Sequence, residues 1–539
     1  MNLIDRLKGV FRRMFSANDI ESVLHVQPTM SQEMKDAIEL WEQMYKNKSP
    51  WVMSNENLRS LGLPAMIASE KARTATIEMN VKITGESERA KFISEQFKKV
   101  TSTIRKNLEY GIALGGLVIK PYVVMGPDNQ YKIEFNYVKA TDFYPLAFSA
   151  NGKITEAAFI ERIFTKEAVF SKVEYHQLVG TTLTVRNLAF KTVNSNTSIY
   201  STLDGQLGTE ISLSEVPEWS NLAPQTIIDN VDSLLFAYFK MPQANTIDLT
   251  SPLGVSGFSK AVDLIHDADE QYTDLLWEFE GGQLAVDVDR TAFNPLIDKD
   301  GKQTVQLPKF QDRLFRRNLD LGEDDTYNVF SPNLRDANII NGLNNILMHI
   351  EDVCDLARGT LSNVAYSEAR TATELKILKQ RTFSANKDIQ TELQGTLEQV
   401  ITIMDKYCDL YNIVDGSKDD YEVAYDWDDS ILVDKDTERQ VDMIDVDKGR
   451  MSKIEYRMKW YGETEAQAQE SLDKISDEQQ KSMEMQQKLM MQNSVQNNSG
   501  NNDNKSNDSN NKNVSDGTDP AARQQKLNRS NDSNEPTKV

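Results

Sequence analysis

Apolar residues recur at helical spacing along some stretches of the chain and alternate with polar ones along others. Residues 31–47 set Met34, Ile38, Trp41 and Tyr45 on one helical face, and Ser49-Pro50 ends that helix. Residues 75–84 alternate as a strand, 86–114 read as a helix, and Gly115-Gly116 hands over to a strand at 117–125. Pro127-Asp128-Asn129 turns that strand back into 131–138, a hairpin. Further strand-like runs at 157–164, 172–178 and 181–188 are parted by polar or glycine-containing turns. The first half therefore reads as an α+β domain with meander-type sheets.

The middle of the chain is helical. After Ser251-Pro252, Phe258, Ile265, Tyr272 and Phe279 recur every seven residues, with Val262 and Leu276 between them, until Gly281-Gly282. Such a helix is about 35–40 Å long. Asp263, Asp267, Glu270, Asp274 and Glu278 follow at spacings of three or four and form an acidic face away from the stripe. Residues 283–289 and 303–307 read as strands around Asp300-Gly301, and Lys309, Arg313, Arg316 and Arg317 form a basic patch. A second helix spans 336–358 through Ile339, Leu343, Ile346, Ile350, Val353 and Ala357, and Gly359 ends it. A polar break at 360–370 precedes a third helix, opened by the capping box Thr371 to Glu374 and continued by Leu375, Leu378, Ala385, Ile389, Leu393, Val400 and Met404. At about 60 Å, with Gly395 as a bend, it looks too long for a compact domain. A strand at 421–426 and capping boxes at Ser452/Glu455 and Thr464/Gln467 lead into shorter helices that end near residue 491.

Composition narrows the function. With 539 residues there is room for three or four structural units. The net charge of −22 argues against a surface that wraps nucleic acid through its phosphates. From residue 491 onward six acids meet six bases with almost no apolar residues, so this tail is expected to be disordered and the negative excess belongs to the folded part. No apolar run reaches the ~20 residues of a membrane span, and two cysteines without a signal-like N-terminus point to a reducing, cytoplasmic origin. Residues 1–15 do show a basic amphipathic pattern, with Leu3, Ile4, Leu7, Val10, Phe11 and Met14 among Arg6, Lys8, Arg12 and Arg13. It fits a helix packed on protein better than a membrane-surface helix.

The search for chemistry returns little. Gly254-Val-Ser-Gly257 lacks the Gly-Lys-Ser/Thr ending of a phosphate loop. His25, His176, His266 and His349 are scattered, and neither Cys354 nor Cys408 has a ligand-spaced companion. Residues 417–447 carry twelve acids against three bases, including Asp426, Asp428 and Asp429, but lack the glycine that turns a calcium loop. No catalytic residue, metal or cofactor is assigned.

Leu235-Phe-Ala-Tyr-Phe-Lys-Met-Pro-Gln-Ala-Asn245 and Ser251-Pro-Leu-Gly-Val-Ser-Gly-Phe-Ser-Lys-Ala261 are the most informative segments. Val173-Glu-Tyr-His-Gln-Leu178, Leu356-Ala-Arg-Gly-Thr-Leu361, Ala369-Arg-Thr-Ala-Thr-Glu-Leu375 and Trp427-Asp-Asp-Ser430 accompany them in order. The set resembles portal proteins, the head-to-tail connectors of tailed bacteriophages, of the type found in phages of Gram-positive hosts, across about residues 31–477. The resemblance implies a wing at 31–252, a first stem helix at 253–281, a clip at 282–335 and a second stem helix at 336–359. A tunnel loop at 360–370, a long wing-to-crown helix at 371–415 and a crown at 416–491 follow. The N-terminal helix and lead-in at 1–30 and the Asn/Ser-rich tail at 492–539 lie outside the resemblance.

It also implies a homo-oligomeric ring, usually of twelve copies, at one capsid vertex of a virion assembled in the host cytoplasm. Double-stranded DNA passes through it, and terminase, head-completion or adaptor proteins, capsid and scaffolding proteins are its partners. Leu361, Ser362, Asn363, Tyr366 and Ser367 resemble tunnel-loop positions set to touch DNA. Lys309, Arg313, Arg316 and Arg317 fall in the clip, which in that family meets the packaging motor and later the head-completion proteins; for the patch itself an intersubunit salt-bridge surface and a DNA-contact role are both open readings. The acidic pattern adds an expectation: Asp263, Asp267, Glu270 and Asp274 line the bore, while Phe258, Ile265 and Tyr272 pack on the second stem helix. The rival readings are a metal-dependent nucleic-acid enzyme using the C-terminal carboxylates and a monomeric scaffolding or adaptor protein.

Overall fold

The structure, a computed structural model, describes residues 14–15, 17–26, 29–127, 130–193, 207–289, 296–297, 303–304, 315–318, 327–363, 372–417, 420–427 and 435–496. It divides into two units, the first running to Val433 and the second starting at Asp434.

In the first unit α1 (Ala17–Leu24), α2 (Gln32–Tyr45), α3 (Pro50–Ser54) and α4 (Leu63–Thr76) precede β1 (Met79–Thr84) and the long α5 (Glu88–Leu114). Ser31 and Ser87 start α2 and α5 by accepting the backbone N–H three residues on. Along α5, Ile93, Phe97, Val100, Ile104 and Leu108 are buried at spacings of three and four, the pattern that made this segment legible as a helix. The strand expected at 75–84 begins only at Met79. Before it the chain stays in α4, where the hydroxyls of Thr74 and Thr76 donate back to Glu70 O and Ala72 O at 2.8 and 2.7 Å.

β2 (Gly116–Met125) and β3 (Tyr131–Lys139) form the expected hairpin, in register from Leu117↔Lys139 to Met125↔Tyr131. β4 (Phe143–Phe148), β5 (Ile154–Phe164), β6 (Ala168–Val179), β7 (Thr182–Val193) and β8 (Thr209–Ile211) form an antiparallel meander, and β9 (Gln225–Asp229) also pairs with β7. β10 (Ala237–Lys240) then adds to β2.

The chain crosses from β10 into the helical region through a backbone clasp. Gly257 N donates to Ile112 O at 2.8 Å, and Met241 N donates to Gly115 O at 3.0 Å. A Cβ on Gly254 would sit 2.1 Å from Gly115 O, so the glycine-rich segment serves close backbone approach. Phe258, fully buried, anchors the segment ahead of the helix. Hence α6 (Val262–Gly281) has 20 residues and is about 30 Å long, shorter than expected.

β11 (Ala285–Asp289), β12 (Leu296–Ile297), β13 (Gln303–Thr304), β14 (Phe315–Asn318) and β15 (Tyr327–Phe330) follow. β11 is parallel to β14 and antiparallel to β15, and β12 pairs with β13. α7 (Asp336–Val353), α8 (Ala372–Leu410) and β16 (Glu422–Trp427) complete this unit, with β16 antiparallel to β1. α8 runs unbroken through Gly395 for 39 residues. Its length does not exclude it from a core: Ile389, Leu393, Leu397, Val400 and Met404 are fully buried in the same cluster as Ile104, Leu108 and Ile119.

One core residue is out of character. Lys71, on α4, is buried, and among the described residues its Nζ has no hydrogen-bond partner. Burial lowers its pKa from 10.5, and burial likewise raises the nearby Cys354 thiol to about 12. The unfolded chain therefore takes up a proton that the native state refuses, so this site costs stability as pH falls below 10.5 until the lowered native value is reached. Lys71→Met is expected to stabilise the protein by about 1–3 kcal/mol at neutral pH. Thermal denaturation, with the transition of the first unit followed separately from that of the second, should show that advantage shrinking as the pH rises toward 10.5.

In the second unit, α9 (Lys435–Asp447), α10 (Lys453–Tyr461) and α11 (Glu465–Gln496) follow one another. Ser452 and Glu455 form the anticipated reciprocal capping box, as do Thr464 and Gln467 at 3.0 and 3.4 Å. Trp460 Nε1 donates to Asp442 Oδ2 at 2.8 Å and joins α10 to α9.

Candidate functional site

α6 and α7 pack side by side and antiparallel: Glu278 near the end of one meets Arg335 just before the other. Arg335 donates its backbone N–H to Glu278 Oε1 at 2.9 Å and its guanidinium Nη2 to Oε2 at 2.8 Å. These bonds hold the Glu278 carboxyl below its ordinary range. Glu278 thus departs from the acidic row in which its spacing places it, because it closes the helix pair. Ile265, Leu343 and Ile350 are buried in the core cluster, with Tyr272 packed at its margin.

Asp263, Asp267, Glu270 and Asp274 are all exposed along one face of α6. His266 Nε2 lies 3.4 Å from Glu270 Oε1, and its ring packs on Trp51 with centroids 4.9 Å apart. Asp269 behaves in the opposite way. Only 1% exposed, it accepts Trp51 Nε1 at 3.0 Å and Leu61 N at 2.8 Å, and burial raises its carboxyl despite those donors. Thr273 Oγ1 accepts Arg59 N at 3.0 Å, so two turns of α6 grip the α3–α4 connection. Sequence reading missed Asp269, yet a signal existed: it falls in the apolar stripe beside Val262 and Ile265. At the far end of α6, Leu276, Trp277 and Phe279 are exposed, Trp277 by 68%.

α7 ends in a second cluster that periodicity did not flag. Glu351 is fully buried and accepts the backbone N–H groups of Gly359, Leu361 and Ser362, together with the Ser362 hydroxyl at 2.7 Å. The neighbouring Asp352 takes Arg358 Nη2 at 2.7 Å, which lowers its carboxyl, and Arg381 of α8 at 3.4 Å. Of the proposed loop residues, Ser362 is buried against Glu351, Leu361 is half-buried, and Asn363 is exposed with its N–H on Asn344 Oδ1 at 2.7 Å. Tyr366 and Ser367 lie outside the described residues, as do Lys309 and Arg313 of the basic patch. Arg316 and Arg317 occupy β14, where Arg316 is in register with Asp287.

Among the described residues no group of three or more His, Cys, Asp or Glu is placed to hold a metal ion. Nor is any helix among them long and apolar enough to cross a membrane.

These features define an α+β subunit whose sheet-rich body carries an antiparallel helix pair, acidic on an outward face and joined through a small β segment. A family model described as "Phage portal protein, SPP1 Gp6-like" matches residues 25–485, and the chain belongs to that family. No curated protein matches. Two solved structures are similar at 10% identity, each over 82% of this chain and 98% of the other. They are the neck of a native GTA particle computed with C12 symmetry, TM-score 0.35, and the virion of a native gene transfer agent particle, TM-score 0.37. The function is that of a phage portal, a connector of the virion, and the nuclease and adaptor readings are not favoured. The family is a structural component of the phage, and membership implies an oligomeric ring with capsid and tail partners.

Proposed function

We propose that copies of this chain, twelve by resemblance to the family, close around a channel at one capsid vertex with the acidic face of α6 toward the bore. Duplex DNA passes through it in packaging and in ejection, while terminase, and later head-completion proteins, dock on the clip. The observation that carries this reading is the division of labour on α6. Asp269 and Thr273 bind the helix to its own subunit, whereas Asp263, Asp267, Glu270 and Asp274 face outward with no buried role. Such a wall repels phosphates and offers DNA no site on which to stall. The exposed Leu276, Trp277 and Phe279 support a neighbouring copy on the flank of the helix pair, since aromatic residues anchor subunit contacts.

Negative-stain imaging with mass measurement tests it. The expected particle is a holed ring near twelve times 61.2 kDa; a 61.2 kDa monomer overturns the reading. Trp277→Ala is expected to weaken each subunit contact by about 2 kcal/mol or more and to shift rings toward smaller species on dilution.

A further inference from the structure

Glu351 stands out among the buried acids because its partners among the described residues are backbone N–H groups and one hydroxyl of the segment that follows its own helix. Three successive features make that segment fold back onto it. Gly359 takes φ +93°, which suits glycine; Ser362 turns inward; and the Ser362 Oγ also accepts Gly359 N at 3.2 Å. A carboxylate that gathers several N–H donors in a water-poor site holds them more firmly than neutral acceptors do. The same short segment is tied once more, Asn363 N donating to Asn344 Oδ1 of α7, and the end of α7 is itself held to α8, where Thr382 Oγ1 and Arg381 Nη1 donate to Asp355 O and Asp352 O at 3.3 and 3.1 Å.

We infer that Glu351 is a positioning residue: it locks residues 359–363, where the tunnel loop begins, to the end of α7, so the start of that loop moves with the stem helix. In a portal, displacement of the stem by passing DNA then reaches the loop through this carboxylate as one rigid step, without slack. The inference rests on the portal reading above and adds to it the residue that joins stem to loop.

The test compares full-length wild type, Glu351→Gln, Ser362→Ala and Ser362→Thr by amide hydrogen exchange and by the amount of DNA retained in assembled particles. Glu351→Gln puts an NH2 among donors, and exchange at Leu361 and Ser362 is expected to rise about tenfold or more while α5 stays protected. Ser362→Ala should give a smaller rise and Ser362→Thr, which keeps the hydroxyl, should restore protection. Both disruptive variants should still form rings yet alter retained DNA. Arg89→Lys, a perturbation remote from the loop, should leave retained DNA unchanged. Unchanged exchange in Glu351→Gln overturns the lock. Faster exchange with wild-type DNA retention, or an equal defect in Arg89→Lys, overturns the transmission. If wild type forms no ring, the portal reading fails first, and that outcome is separately visible.

Discussion

Rings carrying Asp263→Asn, Asp267→Asn, Glu270→Gln and Asp274→Asn together are expected to keep their mass and hole but to move DNA more slowly. All four side chains are exposed, and Glu270 Oε1 lies 3.4 Å from His266 Nε2, so folding has little to lose. DNA has more to lose. A single acid about 10 Å from a phosphate contributes only about 0.4 kcal/mol of repulsion in water. Each copy supplies four, and the Debye length of about 8–10 Å leaves those nearest the duplex incompletely screened. The contrast sharpens with Lys at the same positions. Each phosphate then captured adds about 0.9 to the slope of log affinity against log salt, so rings should hold duplex DNA at about 50 mM salt and release it at about 200 mM. Transit at the wild-type rate by both sets of variants, at both salt concentrations, would remove α6 from the channel wall.

How much of this the sequence carries depends on whether the signal is local. α5, the β2–β3 hairpin and the Ser452 box are set by periodicity, a turn and a cap, so each was legible without a partner. The long third helix was legible as a helix but not as a core element, because α5 and β2, on which it packs, lie nearly 300 residues earlier. Glu278 looked like another member of the acidic row until Arg335, 57 residues later, closed on it. Asp269 and Glu351 mark the same limit. A buried acid is paid for by donors whose arrival depends on the fold; spacing marks Asp269 as an acid in the apolar stripe but leaves Glu351 unmarked. Ser362 shows the reverse error, a polar loop residue that turns inward because a carboxylate waits there. The signals that remain usable are negative ones, such as an acid inside an apolar stripe or glycines too close to a tight crossing to serve a phosphate.

Arg89→Ala is expected to cost about 3–5 kcal/mol, the usual consequence of removing one partner from a buried charge cluster. Arg89 sits in the first turn of α5 with 1% of its surface exposed. Its guanidinium lies 2.8 Å from Asp405 Oδ1 and 2.6 Å from Asp409 Oδ1, donates to Asp405 O at 2.7 Å, and reaches Gly416 O. One side chain therefore fastens the start of α5, the end of α8 and the connection into β16. Its loss is not shared evenly between the two acids. Asp409 is 55% exposed at its side chain and can rehydrate, whereas Asp405, at 11%, is left as an uncompensated charge beside Cys408 and Tyr421. Arg89→Met should be nearly as damaging as Arg89→Ala for that reason, while Arg89→Met combined with Asp405→Leu should recover much of the loss. Because the chain has two units, a single unfolding midpoint is a poor gauge, and limited proteolysis of the 411–421 connection is the direct reading. Faster cleavage there in both single variants, reversed in the double, is the expected pattern; equal cleavage in all four proteins would show that the clasp carries no load.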